Sequence, residues 1–488
     1  MANKNSSTFR TLAIFVAGAL IGALSVAELA PNYRAAGSNL AVDGGTPTDG
    51  GIPGDSSGTL DPTALATATA GLGSLAPGRN TGLQCAPGRN GGATDQGVTG
   101  NSIRLATTVV ESGIGRAFLR DVRFAMEAVK VKVNQAGGIC GRRLIIEYKD
   151  DGWQAQTGAN YLRNLINSKV FAVPVGPSSE GLNVVIKSND FDKAQIPVVG
   201  TDGMLNLQYS KPSGGAQPWV WPVAAATVAS ARIMALEAHN RGIKKFSIVF
   251  DKNYRFGQEG ALAFNAQVKR LTGSDIPGFD PNLNGCRESF CGIVAGQSSY
   301  PEVGQFKPGD FVALFLEPQT ALTWMNDPNV RSATEIQYGA AQPLFTRSFA
   351  TSCQRKCDQM MVWTGFKPYI ESYVNDPAVR EYVRDLERVN PQADEYNAFA
   401  EGAYLGMQLL VEAMRKVGPN LTRQALRQAL NSMTLSTGLT LQGALNFSPN
   451  NRFVNTTMQG FVIQNKGTFS GWRSGPIVTD PKPRAGTD

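Results

Sequence analysis

Side chains able to do chemistry are sparse in this 488-residue chain, and their spacing excludes most of the chemistry they suggest. The acidic pair Asp150 and Asp151 closes the stretch GGICGRRLIIEYKDDG, residues 137–152. Glycines that cradle a phosphate follow a strand and open a helix. Here Gly137 and Gly138 precede the strand, so a dinucleotide or P-loop fingerprint fails. A lone acidic pair in a polar loop is ordinarily solvated or caps the next helix, which leaves a metal reading weak. The single histidine, His239, has no partners for a zinc triad. It ends ARIMALEAHNRG, where a helix C-terminus suits a polar or cationic ring. The Gly-x-Ser-x-Gly match GDSSG at 54–58 lies in a Gly- and Pro-rich stretch rather than between a strand and a helix, and no second histidine is present, so a hydrolytic site lacks both its nucleophile turn and its base. No enzyme activity, cofactor or metal is expected.

The six cysteines, Cys85, Cys140, Cys286, Cys291, Cys353 and Cys357, form an even set. CRESFC and CQRKC do not match the ligand spacing of a zinc ribbon, so disulfides are expected. Spacing does not fix their connectivity. Pairing of neighbours in order would join Cys85 to Cys140, Cys286 to Cys291 and Cys353 to Cys357.

The compartment follows from the first residues. Lys4 and Arg10 precede an apolar run from Leu12 to Ala27, the pattern of an export signal, within residues 1–30. Ser25-Val26-Ala27 suits a signal peptidase, while the length of the run is close to the minimum for a span, so both a cleaved signal and an uncleaved membrane anchor stay open. An extracytoplasmic protein, secreted or tethered to the outer face of the membrane, is the expectation. Residues 31–84 are rich in Gly, Pro, Ala, Ser and Thr and cannot offset ordering entropy by burial, so a disordered tether is expected there. The net charge of +7 is spread among acids rather than clustered, which argues against nucleic acid as a partner.

The elements that must position any site begin near Val98. SIRLATTVV reads as a buried strand and GRAFLRDVRFAMEAVKVKVNQAGG as a helix with apolar residues at helical spacing and a glycine stop. RRLIIEYKD, AQTGANYLRNLINS, VFAVPVG and IPVVG continue the alternation. Strand and helix in turn predict an α/β fold with a parallel sheet covered on both faces and ligands at the carboxyl ends of its strands. A second such series starts at AATVASARIMALEAHNRGIKKFSIVFD, and 42% hydrophobic content over this length supports two cores. Helices are expected over 397–417 and 421–433, and a strand-rich tail after them.

The order of NQAGGICGRRLIIEYKDDGWQAQTGANYLRNLI, VFAVPVGPSSEG, IPVVGTDG and FSIVFDKNYRFGQEG resembles the type I periplasmic binding proteins of the leucine/isoleucine/valine-binding branch, over about residues 98–475. The resemblance implies two doubly wound parallel-sheet lobes joined by a three-crossing hinge. The amino-terminal lobe would comprise 98–221 and 363–438, the carboxy-terminal lobe 222–362 and 439–475, and a flexible tail 476–488. It further implies a monomeric receptor that captures a small amino-acid-like or related polar solute by hinge closure and delivers it to ABC permease and ATPase subunits. A membrane-tethered sensor uncoupled from a permease is the alternative. Carried over position by position, the ligand residues fall on Ser178, Ser179, Thr201, Asp202 and Gly203 in the first lobe. In the second lobe they fall on Phe256, with Tyr254 beside it, Glu317, and Arg347 or Ser348. The family's tyrosine before Gly is Phe256 here, and Glu317 and Arg347 are departures that argue against a plain branched-chain amino acid. Helix capping is the alternative role for the two serines, a turn for 201–203, a dipole-facing acid for Glu317 and a surface ion pair for Arg347.

Overall fold

A computed structural model describes residues 85, 89–201, 203–300, 306–307, 309–484 and 486. The expected signal and tether, residues 1–84, lie outside the described residues, as does Asp202. The first strands are β1 (Ser102–Val109), β2 (Arg143–Asp150), β3 (Val173–Pro174), β4 (Val198–Thr201) and β5 (Val220–Pro222). β1 and β2 pair in parallel from Ser102 opposite Arg143 to Val109 opposite Asp150, and a bridge from Leu105 to Ala172 joins them to the β3-β4-β5 ladder. The spatial order is therefore 2-1-3-4-5, with a right-handed crossover helix expected at each parallel step.

Between these strands run α1 (Arg116–Leu119), α2 (Val122–Gln135), α3 (Ala155–Asn167), α4 (Ser179–Lys187), α5 (Asp190–Ala194) and α6 (Asn206–Tyr209). The helix expected over GRAFLRDVRFAM is thus broken into α1 and α2, with a short link at Arg120 and Asp121. α2 buries Val122, Ala125, Met126, Val129 and Val133 along one stripe, as its spacing required. It stops where Gly137 and Gly138 take positive φ, and the Gly138 amide bonds the Val133 carbonyl.

The second sheet holds β6 (Phe246–Asp251), β7 (Cys286–Arg287), β8 (Phe290–Ile293), β9 (Phe311–Phe315), β10 (Gln337–Ala340), β11 (Met361–Thr364), β14 (Thr457–Asn465) and β15 (Phe469–Thr479). Its order is 15-14-11-10-9-6-8-7, parallel through the centre with antiparallel strands at both edges. Helices α7 (Thr227–Asn240), α8 (Arg255–Thr272), α9 (Pro318–Asn326) and α10 (Arg347–Cys353) accompany it. The chain then returns to the first lobe through α11 (Pro377–Val389), α12 (Ala398–Val417) and α13 (Arg423–Leu430), followed by the short pair β12 (Thr434–Leu435) and β13 (Leu445–Asn446). α12 lies on β4 so closely that a side chain on Gly200 would strike the backbone of Gly406, which explains glycine at both positions.

Three stretches cross between the lobes: after Pro222, after Thr364 and before Thr457. They touch one another. The Asn455 amide donates to the Val223 carbonyl at 3.1 Å, and the Lys367 amide bonds the Leu439 carbonyl at 2.9 Å. Nearby, the buried Arg452 guanidinium lies over the Trp221 ring and donates to the carbonyls of Gln217 and Val220. One apolar cluster runs continuously from Phe118 and Trp153 in the first lobe to Leu314 and Trp472 in the second.

The disulfides pair neighbours in order: Cys85 with Cys140, Cys286 with Cys291, and Cys353 with Cys357. The expected flexible tail behaves otherwise from its first residues. β15 continues through Pro476 to Thr479, and Asp480 is buried against Arg232 with two hydrogen bonds of 2.8 and 2.6 Å. A charge pair that fixes the chain end was invisible in a Gly/Pro-rich stretch. Among the described residues no helix is long and apolar enough to cross a membrane.

Candidate functional site

The loops at the carboxyl ends of the parallel strands converge from both sheets on one narrow cavity of about 30 Å³. The first lobe contributes Phe118 and Leu119 after β1, Trp153 after β2, Pro177 and Ser179 after β3, and Gly203 to Leu205 after β4. The second lobe adds Phe256 after β6, Glu317 after β9 and Pro343 after β10, and Phe399 enters from the start of α12. This is where open α/β sheets place ligands, because loops there are free of the sheet and helix N-termini point inward.

Local chemistry fixes each wall. Asn397 caps α12 by accepting from the amides of Phe399 and Ala400 while its own amide donates to the Phe118 carbonyl at 3.0 Å. That bond ties two aromatic lining residues together. Glu317 caps α9 ahead of Pro318, accepting from the amides of Gln319 (2.7 Å) and Thr320. Trp153 has φ of 62°, in the left-handed region that costs a side-chain-bearing residue roughly 1–2 kcal/mol. Its amide donates to Asp151 at 2.9 Å, which holds the ring over the cavity. Asp151 is therefore neither solvated nor a helix cap, as the DDG turn suggested; the turn buries it behind Trp153.

A second, wider space of about 430 Å³ forms the mouth, bounded by Ile114, Gln154, Glu180, Asn253 and Tyr254, and Trp153 lines both it and the inner chamber. Across this mouth the lobes meet. Tyr254 stacks on Trp153 with centroids 4.4 Å apart and planes 9° from parallel. Glu180 on α4 accepts from the Arg255 amide of α8 at 3.2 Å, and Glu259 on α8 accepts from the Asn206 amide of α6 at 2.8 Å. The structure is thus a closed one, with an aromatic pair and two charge-assisted hydrogen bonds across the mouth, and with the Arg347 amide bonded to Asp394 at 2.7 Å beside the Arg347–Glu395 ion pair.

Burial dominates the titration of these acids. It pushes Glu180 up to about 7, against the opposing pull of the Arg255 amide and guanidinium. It pushes Glu259 up to about 7 against the Asn206 amide, and Asp151 and Asp251 up to about 6. Glu317 is raised as well, by burial that outweighs its two amide donors and the Thr320 hydroxyl.

Of the residues expected from the sequence, Ser179, Gly203, Phe256 and Glu317 line the chamber together, and Tyr254 guards its mouth. Ser178 is the buried N-cap residue of α4, without a side-chain capping bond. Thr201 is turned away: its hydroxyl bonds Gln208 at 2.8 Å and accepts from the Gly203 amide at 3.1 Å, so it shapes the loop. Arg347 is not brought to the chamber. It pairs with Glu395 and lies 4.8 Å over the Tyr396 ring, half-exposed. His239 occupies the last turn of α7, outside the site. Sequence reasoning missed Phe118, Trp153, Met204, Leu205 and Phe399. The signal for Trp153 was present, since it follows Asp150 and Asp151 at the carboxyl end of a strand; Phe399 carried none, because it arrives from a helix 280 residues after Leu119 by tertiary packing alone.

Residues 102–468 match the family described as periplasmic binding protein, and the chain belongs to that family. Its fold is shared with the fatty acid ABC transporter substrate-binding protein from Thermomonospora curvata (15% identity, 79% of this chain and 94% of that one, TM-score 0.61). It is shared also with the branched-chain amino acid transporter substrate binding protein LivJ from Streptococcus pneumoniae, solved with isoleucine (15%, 77% and 99%, 0.61). A third is an ABC transporter solute binding protein from R. palustris, solved with benzoate (17%, 78% and 98%, 0.60). Comparison with curated proteins returned no match. The family and these neighbours are solute-binding proteins rather than enzymes, and membership implies an extracytoplasmic location.

Proposed function

We propose that this chain is the solute receptor of an ABC importer and that it closes around one small solute whose larger part is apolar. We assign its lobes to 98–221 with 363–438 and to 222–362 with 439–475, and we place its partners as a permease and ATPase at the membrane, with residues 1–30 as signal or anchor. The observation that carries the reading is the chamber itself, walled by loops from both sheets. A solute held there touches both lobes at once, so it binds the closed form better than the open form and shifts the population by that difference.

Nine of the twelve lining residues are apolar or aromatic other than glycine, which moves the expectation from an amino-acid-like polar solute to one with a single polar end. Ser179, at the α4 start, and Glu317 are the polar groups available to that end. The test is calorimetric titration of the full chain with amino acids, amides, aromatic acids and amines, and medium-chain acids, alongside thermal shift. A saturable one-to-one ligand that loses affinity on Phe256→Ala and Trp153→Ala supports the reading. A folded chain that binds no member of these classes overturns it.

A further inference from the structure

Resting on that receptor reading, we propose that the chamber selects an organic cation: a compact apolar body bearing an ammonium or similar positive head, in preference to a carboxylate. Four rings form a connected wall. Tyr254 stacks on Trp153, Trp153 meets Phe118 edge-on at 5.2 Å, and Phe118 meets Phe399 at 5.4 Å. Phe256 faces the chamber from the other lobe. Aromatic faces carry negative quadrupole potential and attract a cation within about 6 Å of the ring centre, most strongly where water is excluded.

Charge points the same way. Among the described residues lining chamber and mouth none is lysine, arginine or histidine, whereas Glu317 lines the first and Glu180 the second. Asp251 lies close enough to Glu317 and Glu180 to act on both charges. The α4 start is the feature that would favour an anion, since Ser179 and the helix dipole face the cavity. Its own first turn holds Glu180, buried, so the positive end of that helix is already met by a carboxylate. An entering carboxylate would join Glu180 and Glu317 in a setting of low dielectric, where like charges repel strongly. An entering cation supplies what they lack. Arg255 is the cation that acts on Glu180 and Glu259, whereas Glu317 is met by amides and a hydroxyl, and burial raises the titration of Glu180, Glu317 and Asp251. Binding a cation would draw those acids down and release protons.

The experiment is a matched panel titrated calorimetrically into the full chain at neutral pH: ammonium, alcohol and carboxylate heads on phenyl, cyclohexyl and branched-alkyl bodies, with isoleucine as a zwitterion. On the body that fits, the ammonium should bind roughly tenfold tighter than the alcohol. It should also bind roughly a hundredfold tighter than the carboxylate, with proton release revealed by buffers of different ionisation enthalpy. Glu317→Gln should reduce the ammonium-to-alcohol ratio about tenfold, and Glu180→Gln makes the same test without removing the α9 cap. Equal or tighter binding of the carboxylate or of isoleucine, or an unchanged ratio in both variants, overturns the cation assignment while leaving the receptor reading intact. Failure of every head on every body to bind the folded chain overturns the receptor reading itself.

Discussion

Away from the cleft, Lys132 sits between Glu381 and Asp385, with Asp385 at 2.9 Å, and Arg232 makes two bonds to Asp480. Along the cleft, the equally buried Glu180, Glu259 and Glu317 are met by backbone amides of Arg255, Asn206, Gln319 and Thr320. An amide carries no net charge, so the second group lacks the direct ion pairs of the first and has only the longer-range pull of the Arg255 guanidinium on Glu180 and Glu259. The difference separates charges that hold the lobes' interiors from charges that face a surface meant to open and to receive a partner. A pair sealed inside a lobe is never asked to part, whereas a contact across the mouth must be broken each time a solute enters.

The most severe test of this contrast breaks the matched charges. Asp480→Ala, which strands the Arg232 guanidinium, should cost roughly 3–5 kcal/mol of stability in denaturant unfolding. A loss no larger than that of an exposed pair would erase the distinction between the two regions. Next, Trp153→Ala removes a wall that chamber and mouth share together with its stack on Tyr254. Solute affinity should fall about a hundredfold by calorimetry, the scale of a central aromatic anchor, and a change within threefold would remove Trp153 from the site.

Smaller, and opposite in sign to Asp480→Ala, is the response of the unmatched acids. Glu180→Gln removes a buried acid that forms no ion pair, only an amide bond and the longer-range pull of the Arg255 guanidinium, and should leave stability unchanged or raise it by about 1 kcal/mol at pH 8. The same logic sets the pH dependence. Glu180 and Glu259 titrate near 7 in the folded chain and at the ordinary 4.5 when unfolded. Between those values the folded state holds more protons, so their contribution is fully present below 4.5 and is lost as pH rises through about 7. The melting temperature of the ligand-free chain should therefore be higher at pH 5.5 than at pH 8, by roughly 1–3 °C for a chain of this size. Glu180→Gln together with Glu259→Gln should flatten that slope. The smallest expected effect is that of Tyr254→Phe, which keeps the ring on Trp153 and should change stability and affinity by less than about 0.5 kcal/mol.

Much of this architecture was legible locally. Val122, Ala125, Val129 and Val133 mark one helix face whatever they pack against, and Gly137 and Gly138 stop the helix because only glycine enters that backbone region freely. Glu317 before Pro318 reads in the sequence as a ligand residue or an acid facing a helix start; the structure makes it the cap of α9, buried and lining the chamber. Ser179, Gly203 and Phe256 were found because the family resemblance carries its ligand residues onto loops after strands, and such loops can be counted along the chain. Thr201 and Arg347 show where counting stops. Both occupy suitable loops, yet one side chain turns to Gln208 and the other to Glu395, choices made by neighbours far away or on the next helix.

The chain by itself determined the alternation of strand and helix, the two lobes, the export pattern and the even cysteine set, because periodicity, caps and turn residues act within a few positions of one another. Only the tertiary structure decided that Phe118, Trp153, Tyr254, Phe256 and Phe399 share one chamber, that Arg232 fastens the chain end, and that acids rather than bases border the mouth. These depend on where segments up to 280 residues apart are brought together, and on burial, which turns an ordinary glutamate into one that titrates near neutrality.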